Sequence, residues 1–107
     1  MEKQVDKIQQ KLVNLLSMAA RAGKIASGEM AVSKAVERNE AVLILVAESS
    51  AEKTREIYNK IAGKHAVPLI FTTVDKELLG NSVGKSERAA IAICDSGFAA
   101  AINKILR

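Results

Sequence analysis

The sequence predicts an α/β chain folded as a three-layer α/β/α sandwich around a mostly parallel, four-stranded sheet. Two continuous apolar runs, Ala41-Val42-Leu43-Ile44-Leu45-Val46-Ala47 and Ala89-Ala90-Ile91-Ala92-Ile93-Cys94, have strand length and no polar alternation, so each reads as buried on both faces. Segments of helical apolar spacing separate all the strand candidates, in the order α-β-α-β-α-β-α-β-α. No repeat, low-complexity tract or linker interrupts this order, so residues 1–107 are expected to form one domain.

The first helix spans about residues 4 to 22, with Val5, Ile8, Leu12, Leu15, Leu16 and Ala19 on one stripe and Lys7, Gln10, Lys11 and Asn14 between them. Gly23 is its expected stop, since glycine takes the left-handed conformation at little cost. Lys24 to Ser27 is a short strand candidate, and Ser27 can cap a helix from Gly28 to Arg38. Met30, Val32 or Ala31, Ala35 and Val36 are its expected inward positions. The run from Ala41 forms the second strand, and Ser50 with Lys53 and Thr54 opens a third helix. That helix carries Ile57, Tyr58 and Ile61 inward and fades at Gly63. Pro68, lacking an N–H, suits the start of the strand Leu69-Ile70-Phe71. Thr73 or Asp75 caps a short helix through Leu78 and Leu79 that ends near Gly80. After the strand from Ala89, Asp95 or Ser96 caps a last helix bearing Phe98, Ala101, Ile102, Ile105 and Leu106.

Composition narrows the function classes. The 107 residues are 49% hydrophobic and 26% charged, a globular balance. No apolar run approaches the roughly 20 residues of a membrane span, and MEKQVDKIQQ has no apolar signal core, so a cytoplasmic protein is expected. One cysteine, Cys94, and one histidine, His65, leave no internal disulfide and no multi-cysteine or histidine-rich metal site. No cofactor is expected. The net charge of +4 favours a polyanionic partner, while 3% aromatic residues (Tyr58, Phe71, Phe98) argue against modules that stack bases on rings. A nucleic acid would be read by shape, backbone and groove.

Gly80-Asn81-Ser82-Val83-Gly84-Lys85-Ser86 looks like a phosphate loop but has three residues between its glycines where four are required. It also follows a helix and precedes a strand, the reverse of the order that aims helix amides at phosphate. A glycine-hinged connection is the better reading, and nucleotide hydrolysis is not expected. The turn Ser27-Gly28-Glu29 combines a glycine with a helix N-terminus, and Lys34 and Arg38 follow along the same helix. By pattern alone an ordinary capped helix with solvated lysines is the simpler account. Cys94 reads as an inert core thiol and His65 as a helix-end residue, and no nucleophile–base order is present. An enzyme is therefore not expected.

Ala22-Gly23-Lys24-Ile25-Ala26-Ser27-Gly28, Val32-Ser33-Lys34-Ala35-Val36-Glu37-Arg38 and Ala41 to Glu48 occur in the order of one known family. Val67-Pro68-Leu69, Lys76-Glu77-Leu78-Leu79-Gly80 and Gly84-Lys85 continue that order. Across residues 12 to 106 the chain resembles the ribosomal protein L-seven-Ae, L-thirty-e and Gadd-forty-five superfamily, above all its small bacterial RNA-binding members. The resemblance implies the same sandwich with a mixed sheet, the first strand antiparallel to the last. It implies a non-catalytic monomer that binds structured, kink-turn-like RNA, ribosomal RNA foremost, with ribosomal proteins as candidate partners and no membrane association. The implied contacts are Lys24, Gly28, Glu29, Met30, Lys34, Gly84, Lys85 and Arg88. Gly28 would let backbone approach the RNA, and the four basic residues would meet phosphates. The family's Asn-Glu pair, which reads guanine edges, falls on Met30 and Ala31, which cannot make those hydrogen bonds. This departure keeps a second expectation open, a protein-interaction adaptor of the same fold.

Overall fold

The computed structural model describes residues 2–106, with side chains described from Lys7 onward. Its elements run α1 (Glu2–Arg21), β1 (Ile25–Ser27), α2 (Glu29–Glu37), β2 (Leu43–Ala47), α3 (Glu52–His65), β3 (Leu69–Thr72), α4 (Lys76–Ser82), β4 (Ala90–Ile93) and α5 (Ser96–Leu106). The sheet order is β1-β4-β2-β3. Strand β4 is antiparallel to both β1 and β2, whereas β2 and β3 are parallel. One pairing of the three is thus parallel, which is the mixed sheet that the resemblance implies and corrects the mostly parallel sheet read from the apolar runs. Such runs report burial on both faces and carry no direction.

Strand alternation sorts the core into two layers. Leu43, Leu45 and Ala47 of β2 and Ile91 and Ile93 of β4 face α1, α4 and α5, where Leu12, Leu16, Leu79 and Ile102 are fully buried. Ile44, Val46, Ala90 and Ala92 face α2 and α3, against Val32, Val36, Tyr58 and Ala62. Both faces of the central strands are therefore dry, and each fully buried leucine or isoleucine contributes about 1.5–3 kcal/mol. No described helix is long and apolar enough to cross a membrane.

The α1 stop forms as expected. Gly23 has φ 71°, and the N–H groups of Gly23 and Lys24 return to the carbonyls of Ala20 and Ala19. Asp75, rather than Thr73, caps α4 by accepting from Leu78 N–H at 2.8 Å. Asp95, rather than Ser96, accepts from Phe98 N–H at 2.9 Å at the head of α5.

Several local expectations are corrected. The N-cap of α2 is Gly28, and no side chain caps it, so Ser27 does not serve there. Met30 is 75% exposed: α2 buries only the stripe of Val32, Ala35 and Val36, and residue 30 falls outside it. Strand β2 starts at Leu43, and β4 spans only Ala90–Ile93. Helix α3 starts after Ala51 with no side-chain cap from Ser50, and Ile57 is exposed. It runs past Gly63 to His65, where Ala66 closes it in the left-handed conformation. Helix α4 continues through Gly80 to Ser82, whose hydroxyl donates to the Leu79 carbonyl and whose own carbonyl accepts from Ser17 Oγ. The inward placing of Val5 concerns a side chain outside those described.

Candidate functional site

The antiparallel pairing places Ser27 opposite Ile91, so the end of β1 lies beside the start of β4. The Gly28 N–H points to the Ala90 carbonyl at 3.4 Å, and Ala47 N–H donates to the Ala89 carbonyl at 2.9 Å. The β1–α2 turn and the loop before β4 thereby meet at one sheet edge. Gly28 has φ 92° and ψ 158°, a combination that side chains essentially forbid, and its carbonyl accepts from Val32 N–H as α2 begins. The Arg88 side chain passes over it: a β-carbon on residue 28 would lie 3.7 Å from Arg88 Nε.

Arg88 is braced by its own loop. Its Nη1 lies 2.9 Å from the Glu87 carbonyl and 3.0 Å from Ser86 Oγ, and its N–H donates to the Lys76 carbonyl. Ser27, Gly28, Glu29, Met30, Ala31, Tyr58, Glu87, Arg88 and Ala89 line a shallow, open concavity of about 500 Å³. Tyr58 is 97% buried yet contributes to this lining (3% exposed). Burial first, and the Glu29 carboxylate second, push its phenol above the ordinary value of 10.0, so at neutral pH it presents a protonated hydroxyl.

A second concavity adjoins the first along Ala31. Lys24, Lys34 and Arg38 line it together with Gly23, Ile25, Glu40 and Cys94. The three basic side chains converge here because the start of β1 packs beside α2, with Lys34 and Arg38 one turn apart on the helix. Cys94 N–H donates to the Lys24 carbonyl at 2.8 Å. Its thiol is held above the ordinary value of 9.0 by burial and by Glu40, and Lys24 opposes the shift, so it is a poor nucleophile.

Of the residues singled out from sequence, Gly28, Glu29, Met30 and Arg88 share one concavity, and Lys24 and Lys34 share the other. Gly84 and Lys85 line neither. Gly84 has φ 74° and turns the chain out of α4, and Lys85 N–H donates to the Gly80 carbonyl while its side chain is exposed. Tyr58 was missed, while Glu87 and Ala89 flank Arg88 in the loop before β4. Tyr58 reaches the site from α3 by long-range packing, which its place on an apolar stripe does not reveal. Among the described residues, no three His, Cys, Asp or Glu side chains come together as a metal site. Both depressions are open: the second sets Lys24, Lys34 and Arg38 against the one carboxylate of Glu40 and suits an extended polyanion better than an enclosed small molecule, whereas the first sets Arg88 beside Glu29 and Glu87.

Residues 10–103 match the model of the Ribosomal protein L7Ae/L30e/S12e/Gadd45 family. The chain belongs to that family. Among its relatives is the RNA-binding protein YlxQ of Bacillus subtilis, 34% identical over 93 residues, which make up 86% of this chain and 88% of the relative. Another is the large ribosomal subunit protein eL8 of Thermoplasma volcanium, 32% identical over 91 residues, covering 84% of this chain and 74% of the relative. A solved structure of a protein of unknown function from Bacillus halodurans superposes with a TM-score of 0.82 at 28% identity, covering 90% of this chain and 96% of that one. The 15.5kD RNA binding protein of Giardia lamblia shares the fold, with a TM-score of 0.74 at 20% identity over 94% of this chain and 85% of that one. In this chain the first strand is antiparallel to the last, as the resemblance implies.

Proposed function

We propose that the chain is a non-catalytic, cytoplasmic RNA-binding protein associated with the ribosome, and that it recognises bent, kink-turn-like duplex RNA. The observation that carries this reading is the meeting of Gly28 and Arg88 at one sheet edge, beside the basic depression of Lys24, Lys34 and Arg38. The names borne by the YlxQ and eL8 relatives support it. In this reading the amides at the head of α2 approach the RNA backbone, Gly28 permits that approach, and Lys24, Lys34, Lys85 and Arg88 neutralise phosphates. Gly84 sets the exit of the second loop. Glu29 and Met30 stand at the rim, where Met30 gives apolar contact without base-edge hydrogen bonds. Recognition therefore rests on shape and phosphate spacing more than on base identity.

The test is a titration of the protein with a kink-turn RNA and with a straight duplex of equal length, repeated across salt concentrations. The kink-turn should bind tighter, and four phosphate contacts give a slope of roughly −3 to −4 in log affinity against log salt. Equal affinity for both RNAs reduces the interaction to nonspecific charge, and a flat salt response removes the phosphate clamp.

A further inference from the structure

Away from the two basic depressions, α1 and α5 pack side by side and leave a groove of about 450 Å³ between them. Ile8, Leu15, Ala101 and Ile105 line it together with the exposed Lys11 and Lys104. Ile8 is 44% exposed although it lies on the helix's apolar stripe. Among the described side chains of these two helices the charge has one sign. From Lys7 to Arg21 α1 contains no acidic residue, and α5 contains none along its length. Ile8 and Leu15 are seven residues apart, which is about 10 Å of helix axis, or two turns of a helix laid alongside.

We propose that this groove is a docking site for an acidic amphipathic helix of a partner protein. Its apolar side chains would enter between Ile8, Leu15 and Ile105, and its flanking Asp or Glu residues would face Lys11 and Lys104. RNA is the poorer occupant. The groove lies away from both helix N-termini, at residues whose backbone N–H groups are used within the helices, and its apolar lining gives phosphate or base edges nothing to bond. Two lysines beside an apolar cleft select an acidic helix and reject a basic one, because unlike charges steer the encounter and like charges penalise it.

The probes are three labelled peptides followed by fluorescence anisotropy against the full chain. One is a designed helix with leucines at i, i+3 and i+7 flanked by glutamates, one has lysines in place of the glutamates, and one is a scrambled control. The acidic peptide should bind saturably, at least about tenfold tighter than the other two. The double variant Lys11→Glu/Lys104→Glu should reverse that preference, while its circular dichroism and its affinity for kink-turn RNA stay unchanged. Reversal separates charge recognition from unfolding, and the RNA titration separates this site from the proposed RNA face. Equal binding of all three peptides overturns the proposal, as does displacement of the acidic peptide by duplex RNA. A concentration-dependent dimer abolished by Ala101→Glu overturns it too, by making a second copy of the chain the occupant.

Discussion

The Ser86 carbonyl lies directly over Gly80, so close that a β-carbon at position 80 would overlap the Ser86 oxygen and carbonyl carbon. A glycine inside a helix normally costs stability, and its replacement by alanine gains about 0.5–1 kcal/mol. Here the loop before β4 rests on the bare helix backbone. Gly80→Ala should therefore destabilise the protein by about 1–3 kcal/mol through overpacking and push the 84–88 loop away from Gly28. Gly63, in α3, has open space around its missing β-carbon, so Gly63→Ala should stabilise by about 0.5–1 kcal/mol. Chemical denaturation of the two variants checks the opposite signs.

Gly28→Ala tests backbone and not volume. The nearest atom to an added β-carbon, Arg88 Nε at 3.7 Å, is at ordinary contact distance, but φ 92° is strained for any side chain. The expected cost is about 1–3 kcal/mol. A loss of RNA affinity larger than the loss caused by Met30→Ala should accompany it, both read by anisotropy.

Lys34→Ala should weaken binding to all RNAs alike and reduce the salt slope by about one unit. An unchanged slope takes Lys34 out of the contact set. Arg88→Lys keeps the charge but loses the forked bracing of Ser86 Oγ and the Glu87 carbonyl. It should lower affinity with the slope retained, whereas Arg88→Ala should lower both.

Tyr58 gives a pH signature. The folded chain holds the phenol proton more tightly than the unfolded chain, whose tyrosine titrates near 10.0. Its contribution to stability is whole below that pH and is lost as pH rises through the higher folded value. Phenolate absorbance isolates this titration, since the chain has one tyrosine and no tryptophan. Glu29→Gln should move the midpoint down, leaving it above the ordinary value because burial remains the larger cause.

Local chemistry was the legible part of this fold. The order of helices and strands, the Gly23 stop and the central burial of residues 43–47 and 90–93 follow from short-range pattern. What pattern could not carry was pairing partner and direction. A strand buried on both faces has no polar face to orient it, so β4 reads the same parallel or antiparallel. Caps were ambiguous wherever two polar residues competed, as with Thr73 and Asp75, because either can supply the oxygen. In the candidate site, Gly28, Lys34 and Arg88 could be named from the resemblance. The role of Tyr58 depends on Glu29, distant in sequence, and that of Gly80 on the way the loop at Ser86 folds back over the end of α4, which a helical pattern does not record. The apolar character of Met30 does not imply burial, because α2 buries only Val32, Ala35 and Val36.

The position of β4 sets the order in which the molecule can be completed. Among the described residues strand β1 has no sheet partner except β4, and β4 also sits between β1 and β2. As the chain leaves the ribosome, β2 and β3 can pair through the α3 crossover, but residues 25–27 must wait for residues 90–93. Both depressions border that final pairing. A nascent or truncated chain lacking β4 therefore has its lysines but no assembled face, and competence for a ligand arrives only when synthesis of the last strand is done.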